Sequence, residues 1–405
     1  MRWNTRADGR SRAFVELARK AAALQPDDPG NWVLLARTLT RAGAHDEALS
    51  VLTEAVTRLP AAPQLHLLQA TACCRLGHFD RARRVLAEAP ALPQDDRGLT
   101  LSRLRIEMEI TPARDAVGLA REALALDPAC GTALEILGLE ARHAGSPDIM
   151  LPLCQAALAR EPGHARARYE LARAYAGLGR AEDARQVIDL HRFVGVTDLP
   201  PPGEYADATS FEAALAREIA AHPTLKPDPA GLATRGGFQT AIDLAQTAEG
   251  ALAALLGQIR AGVEAFAAGL PDGSADPFVR ARPGAAALEA WAVVCPAAGH
   301  QMTHIHPRGW LSGVYYVSVP EAAPDDPSGG CLVLGSQSEH DTDGDPPWGT
   351  RAHRPAPGQM ILFPSHIPHA TLPTRSPGLR ISVAFDVVPL DPTEDARPGV
   401  GLQSP

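Results

Sequence analysis

The chain has 405 residues, a formal net charge of −9 and 45% hydrophobic residues. This length predicts two or more domains, and the composition is that of a globular protein with a substantial core. The acidic balance argues against non-specific binding of nucleic acid as the main function. No run of about 18 apolar residues and no secretory signal is evident, so we predict no membrane span. Six cysteines without a Cys-x-x-Cys spacing favour a reducing, cytoplasmic location.

The first half of the sequence repeats with a period of 34 residues. Small and rigid residues keep this period: Gly43, Gly77, Gly145 and Gly179, together with Pro26, Pro60, Pro128 and Pro162. Each glycine is expected to end one helix in the left-handed conformation, and each proline to stop the next helix. A period of this length predicts pairs of antiparallel helices that stack into a solenoid.

The segments 31–60 and 167–188 resemble the tetratricopeptide repeat family, with the segment 31–60 supplying Trp32, Gly43, Ala48, Ala55 and Pro60 at the pattern positions. The segment 95–128 keeps the repeat length without the pattern residues. We therefore predict an all-α repeat solenoid over residues 1–192. The resemblance implies a concave face that binds a protein or peptide partner. A purely structural role, such as positioning the second domain or forming a homo-oligomer, is the alternative.

Three consecutive prolines at 200–202 break the helical pattern and predict a linker over residues 193–214. Beyond it, the apolar periodicity of residues 241–270 predicts one long helix that ends near Gly269 and supports a sheet.

From about residue 285 the pattern changes to short β-rich segments separated by glycine and proline. This pattern predicts a double-stranded β-helix, which is a jelly roll of two facing sheets. We place this domain, with its supporting helices, at residues 215–395, followed by a tail at 396–405.

Two histidines precede one of these strands in the segment HIHPRGWLSGVYYV. His304 and His306 are two residues apart, so on an extended segment their side chains point to the same side and can chelate one metal. His366 and His369 follow a later strand. Beyond them, the segment RISVAF alternates a polar face with Arg380 and Ser382 and an apolar face.

Together, HIHPRGWLSGVYYV, GGCLVL, GQMILFPSHIPHATLP and RISVAF resemble the Fe(II)/2-oxoglutarate-dependent oxygenases, over roughly residues 215–389. The resemblance implies that His304 and His369 bind iron. The carboxylate ligand usual two residues after the first histidine is replaced here by His306. We favour a three-histidine site of His304, His306 and His369, since imidazole suits Fe(II). The alternative is a carboxylate from the following loop, with the candidates Asp341, Asp343 and Asp345.

The same resemblance implies that 2-oxoglutarate is the cosubstrate. Its distal carboxylate needs a cation, and Arg380, with Ser382 beside it, fits this role because arginine offers a planar pair of donors. Adjacent tyrosines point to opposite faces of a strand, so only one of Tyr315 and Tyr316 lines the pocket, and parity favours Tyr316. The loop 335–357, which contains Trp348, is a candidate lid or a plain surface insertion.

These observations predict an iron- and 2-oxoglutarate-dependent dioxygenase that uses O₂ to hydroxylate a protein, a peptide or a small molecule. A three-histidine dioxygenase that does not use 2-oxoglutarate is the second possibility, against which Arg380 argues. The third is a non-catalytic adaptor, against which the intact ligand set argues.

Overall fold

The computed structural model describes residues 1–3, 11–41, 44–228, 231–241, 244–321, 325–337 and 345–390. The chain divides into two compact units. The helical unit takes its described residues from between Thr5 and Ala144, and the β unit takes them from Gly145–Pro392 and Met1–Asn4. Residues 145–192, which the sequence assigns to the repeats, thus belong to the same compact unit as the sheets.

The helical unit contains eight α-helices in its described part: α1 (Ser11–Leu24), α2 (Pro29–Arg41), α3 (His45–Arg58), α4 (Pro63–Arg75), α5 (Phe79–Glu88), α6 (Arg97–Ile110), α7 (Val117–Leu126) and α8 (Gly131–His143). The β unit continues with α9 (Met150–Arg160), α10 (Ala165–Gly177) and α11 (Ala181–Val187). The helices α2, α4, α6, α8 and α10 begin 34 residues apart at every step. The middle repeat therefore keeps its register although its pattern residues have changed.

Glycine ends the first helix of three repeats as predicted. Gly77, Gly145 and Gly179 have φ angles of 73°, 63° and 71°, in the left-handed region that costs glycine nothing. After α4, the amides of Gly77 and His78 donate to the carbonyls of Cys74 and Cys73, both at 2.8 Å, which closes the helix end. Gly43 lies outside the described residues.

Alanines at repeat positions let the helices approach closely. Ala48, Ala55 and Ala82 are 0% exposed within the core of the helical unit. A methyl group at the contact permits a short distance between helix axes and leaves no room for a larger side chain.

The β unit adds four further helices and its strands to α9–α11. The helices are α12 (Ala208–Ala220), α13 (Leu244–Thr247), α14 (Gly250–Ala268) and α15 (Pro277–Arg280). The strands are β1 (Arg2–Trp3), β2 (Gly195–Asp198), β3 (Lys226–Pro227), β4 (Thr234–Arg235), β5 (Phe238–Gln239), β6 (Ala285–Cys295), β7 (His300–His304), β8 (Leu311–Ser318), β9 (Leu332–Leu334), β10 (Arg351–His353), β11 (Gln359–Pro364), β12 (His369–Thr371) and β13 (Arg380–Pro389).

These strands form two sheets. The larger has the order β2-β11-β8-β13-β6-β5-β3, with β1 pairing alongside β6, and the smaller has the order β10-β9-β12-β7-β4. Every pairing is antiparallel except that of β1 with β6. One face of the larger sheet packs on α12 and α14. Its other face meets the smaller sheet, so polar side chains on that face lie between the two sheets.

Part of the predicted linker is ordered structure. Residues 195–198 form β2, which pairs with β11 at the edge of the larger sheet, and α12 begins at Ala208. The short β-branched run before the prolines is enough for an edge strand, because an edge strand needs pairing on one side only.

The predicted helix 241–270 is interrupted. Its described part contains α13 and α14, and α14 begins at Gly250, which has a φ angle of 53°. The Glu218 carboxylate accepts hydrogen bonds from the amides of Ala251 and Leu252 at 2.8 and 2.9 Å, which caps the new helix start. Among the described helices, α14 alone is long and apolar enough to cross a bilayer. Leu252, Leu255 and Ile259 instead bury its apolar face in the core of the β unit.

Candidate active site

The structure brings three histidines to one point between the sheets. His304 ends β7, His306 follows in the next turn, and His369 begins β12 opposite His304 in the antiparallel register. Their ligand nitrogens all lie within 4.8 Å of one another. His306 Nε2 and His369 Nε2 are 3.1 Å apart. Two nitrogens that each lie about 2.1 Å from one ion, at roughly right angles, are separated by about this distance.

Two of the imidazoles are held by hydrogen bonds from Nδ1, the ring nitrogen that points away from the cluster. His304 Nδ1 donates to the Met302 carbonyl at 2.7 Å, and His369 Nδ1 donates to the Ile367 carbonyl at 3.1 Å. Because a carbonyl oxygen only accepts, the proton of each neutral ring is on Nδ1, and the Nε2 lone pair points toward the other histidines. Metal-bound histidines are commonly oriented in this way.

Burial keeps two of these imidazoles neutral. Burial, together with the smaller effect of the neighbouring His306, lowers the pKa of His304 to about 4. Burial likewise lowers the pKa of His369 well below the ordinary value, with His304 and His306 as additional causes. A metal binds only the unprotonated nitrogen, so the site is ready to bind a cation near neutral pH. The donor set fits a divalent transition metal such as Fe(II).

The third histidine is held by a carboxylate instead of a carbonyl. His306 Nδ1 lies 2.9 Å from Asp386 Oδ2, and the other oxygen of Asp386 accepts from the Ser312 hydroxyl at 2.6 Å. Ser312 Oγ is in turn 2.8 Å from Ser365 Oγ, and the Ser365 carbonyl accepts from the His306 amide at 3.0 Å. Sequence reasoning missed Asp386, although its even spacing from Arg380 along β13 was the available signal.

Arg380 forms the second part of the site. Its side chain on β13 is 1% exposed, and Nη2 donates to the Thr371 hydroxyl at 2.7 Å. The Tyr316 hydroxyl is buried without a hydrogen-bond partner among the described residues. Burial raises the pKa of Tyr316 to about 12, while the nearby Arg380 charge opposes the rise. Ser382 lies on the same face of β13 and pairs with Tyr316 in register. A buried guanidinium and an unpartnered hydroxyl fit a carboxylate ligand.

The side chains of the two adjacent tyrosines point to opposite faces of β8, as strand alternation requires. Tyr316 packs with Phe363, Leu334 and other side chains between the sheets. Tyr315 packs in the core formed with α12 and α14 on the opposite face. Only Tyr316 therefore lies on the face that contains Arg380.

Two further sequence predictions concern the loop 335–357. Asp341 and Asp343, the candidate alternative ligands, lie outside the described residues, whereas Asp345 is described and exposed. Trp348 is 9% exposed, and its indole N–H donates to the Gly335 carbonyl at 3.1 Å. This bond anchors Trp348 in the core that α10 and α11 share with the sheets.

His366 does not belong to the cluster. Its Nε2 lies 2.9 Å from the carbonyl of Val187 at the end of α11, to which a neutral ring donates. It therefore ties the segment that contains His369 to the last repeat.

Comparison with known proteins agrees with these two regions. The family described as "Putative 2OG-Fe(II) oxygenase" matches residues 289–386, and the tetratricopeptide repeat family matches residues 39–102 and 145–194. The chain is therefore similar to tetratricopeptide repeats in its first half and to the putative 2OG-Fe(II) oxygenases in its last third. All three clustered histidines and Arg380 lie inside the oxygenase match. No curated protein sequence is significantly similar to this chain.

Solved structures resemble parts of the chain. A Pseudomonas putida prolyl-4-hydroxylase is 20% identical, covers 49% of this chain and 94% of its own, and has a TM-score of 0.35. YrrB, a TPR protein with an unusual peptide-binding site, is 18% identical, covers 44% of this chain and 95% of its own, and has a TM-score of 0.35. With TM-scores below 0.5, neither likeness bears on the activity of this chain.

Proposed function

We propose that the β unit is an Fe(II)- and 2-oxoglutarate-dependent dioxygenase on a double-stranded β-helix, which hydroxylates a protein, a peptide or a small molecule. The observation that supports this most is the combination, between the same two sheets, of three inward-facing Nε2 atoms with the buried pair of Arg380 and Tyr316. Neither half alone distinguishes this activity from other metal sites.

In this proposal His304, His306 and His369 hold Fe(II). The Arg380 guanidinium binds the distal carboxylate of 2-oxoglutarate, and the Tyr316 hydroxyl donates a further hydrogen bond to it, with Ser382 lining the same face. Bound iron and 2-oxoglutarate supply the oxidative chemistry, which couples decarboxylation of the cosubstrate by O₂ to hydroxylation. The protein orients both groups, and the apolar side chains around Tyr316 and Phe363 exclude water.

Anaerobic titration with Fe(II) and then 2-oxoglutarate tests this assignment. We expect a metal-to-ligand absorption band that requires both additions, and succinate formation once O₂ is admitted. Arg380→Met is the matched variant, because it keeps the three histidines and removes the carboxylate anchor. It should bind Fe(II) normally and lose the band at 2-oxoglutarate concentrations that saturate the parent protein.

A protein that binds Fe(II) but forms neither the band nor succinate would support the three-histidine dioxygenase that does not use 2-oxoglutarate. A protein that binds no metal at all would support the adaptor.

We further propose that the repeats bind a protein or peptide, which is either the substrate or a partner. The tetratricopeptide match over two segments supports this assignment. Succinate formation above the substrate-free rate, measured with peptide pools and with pools of free metabolites, separates the two substrate classes. Stimulation by metabolites alone would count against a peptide substrate.

A further inference from the structure

Only one of the three clustered histidines is held by a negative charge. His304 and His369 donate to neutral backbone carbonyls, whereas His306 faces the Asp386 carboxylate. His306 also occupies the position at which the resemblance implies a carboxylate ligand. The histidine that replaces a charged ligand is therefore the one that has a carboxylate behind it.

The geometry places Asp386 behind His306 and away from the metal position. Its Oδ2 contacts the outer Nδ1 of His306, on the opposite side of the ring from the Nε2 that approaches His369. Its Oδ1 is occupied by the Ser312 hydroxyl. Asp386 would therefore act on a metal held by the three histidines only through the imidazole of His306.

The surroundings fix this pair in one orientation. The side chains of His306 and Asp386 are 12% and 9% exposed. The Trp291 ring stacks on His306 with centroids 5.4 Å apart and planes inclined by 24°. At Gly309 an added Cβ would lie 2.4 Å from Ser365 Oγ and 3.4 Å from Asp386 Oδ1, so a larger residue there would displace the Ser365 hydroxyl. The low exposure of both side chains and the stacking of Trp291 indicate a built contact and not a chance surface pair.

We propose that Asp386 is a positioning residue that supplies, through His306, the negative charge that a ligand carboxylate would otherwise place on the iron. An imidazole that donates to a carboxylate is a more basic ligand than one that donates to a carbonyl, because the anion stabilises positive charge on the ring and the metal. This inference rests on the proposed iron site, but not on 2-oxoglutarate as the cosubstrate.

Metal affinity is the direct measurement, made with Fe(II) or Co(II) alone under anaerobic conditions. Asp386→Asn keeps an oxygen that accepts from Nδ1, removes the charge and places an amide N–H where Oδ1 accepts from the Ser312 hydroxyl. We expect it to weaken metal binding by roughly 10- to 100-fold, the usual cost of losing such a partner. Glu289→Gln is the matched control, since Glu289 pairs with Asp386 in register on the neighbouring strand and its carboxylate binds Arg308 at 2.7 Å. Its affinity should stay within about threefold of the parent protein.

A double-mutant cycle with His306→Asp separates charge supply from simple packing. His306→Asp places a carboxylate directly on the metal, so a second charge nearby is no longer needed. In this background, Asp386→Asn should change metal affinity by less than about threefold, or strengthen binding by relieving repulsion between two carboxylates. An equal loss in both backgrounds, or no loss in the parent protein, would overturn the proposal.

Ser312→Ala provides a second test of the proposal if Asp386→Asn folds poorly. This variant retains the charge and removes the bond to Oδ1. Charge supply predicts a change below about fivefold in metal affinity, whereas a packing role predicts a loss of about tenfold or more, which would overturn the proposal. None of these metal titrations uses 2-oxoglutarate or O₂. They therefore test the role of Asp386 even if 2-oxoglutarate is not the cosubstrate.

Discussion

The helical repeats and the β unit differ in the sequence distance over which their important contacts form. In the repeats, neighbouring helices meet through small residues that recur every 34 positions, such as Ala48 and Ala82. In the candidate site, His306 contacts His369 across 63 positions and Asp386 across 80. A periodic, local architecture tolerates the loss of pattern residues in one repeat. A site built from distant strands depends on each residue individually, so single changes should affect the two regions in different ways.

The largest effect is expected at the site. His369→Ala removes one of three nitrogens and should lower Fe(II) affinity by more than about 100-fold, because even the loss of an outer partner costs 10- to 100-fold. His366→Asn is the control, as His366 is three residues away but donates to Val187. Anaerobic metal titration of both variants checks this prediction, and normal affinity in His369→Ala would refute the ligand assignment.

A substitution in the core of the repeats should lower the free energy of unfolding without changing the affinity for Fe(II). Ala82 is fully buried, so Ala82→Leu overpacks the helices and should destabilise the protein by about 1–3 kcal/mol. Ala87→Leu, at an exposed position of the same helix, should change stability by less than about 0.5 kcal/mol. Denaturant unfolding and Fe(II) titration measure the two properties separately. Weaker metal binding in Ala82→Leu would show that the two regions are energetically coupled.

His366 should make stability depend on pH in the β unit. Burial, with help from the Arg168 charge, lowers the pKa of His366 well below 6.5. The folded protein keeps this ring neutral while the unfolded chain takes up a proton below about pH 6.5. The contribution of this neutral ring to the free energy of unfolding is therefore fully present above about pH 6.5. It falls as the pH drops, by at most about 1.4 kcal/mol per pH unit for one proton. His366→Asn should make the acid side of the stability profile shallower, and an unchanged slope would contradict this origin.

The smallest effect should come from the tyrosine pair. Tyr316→Phe removes one hydrogen bond to bound 2-oxoglutarate and should raise its KM about 2- to 10-fold, equivalent to about 0.5–1.5 kcal/mol. Tyr315→Phe is the matched control, because Tyr315 packs on the helix-facing side. Without ligand, Tyr316→Phe should be no less stable than the parent protein, since the hydroxyl that it removes is unpartnered among the described residues. Equal KM values for both variants would place the cosubstrate elsewhere.

Several features of the site could be predicted from sequence because strand alternation fixes them. The spacing of two between His304 and His306 put both rings on one side, and the parity of Arg380 and Ser382 put them on the face toward the second sheet. The choice between Tyr315 and Tyr316 followed from the same alternation. The roles of these residues toward iron and 2-oxoglutarate remain predictions that the experiments above test.

Other features could not be predicted because they depend on packing between distant segments. The linker pattern at 193–214 gave no sign that β2 would pair with β11, since an edge strand is defined by its neighbour. The interruption before α14 depends on the Glu218 carboxylate, which reaches the helix start from 33 positions away. Asp386 was overlooked because its even spacing from Arg380 gives only its face of β13 and does not show that His306 lies opposite it.

The sequence by itself determined the helical period, the alternation of the strands and the inventory of metal-binding side chains, because these depend on residues a few positions apart. Only the tertiary structure decided which histidines converge, that His366 turns to Val187, and that a carboxylate stands behind His306. These outcomes depend on strand register and on the packing of one sheet against another. A shift of one residue in the register of β12 would turn His369 to the opposite face, and the same shift in β13 would turn Asp386 away from His306.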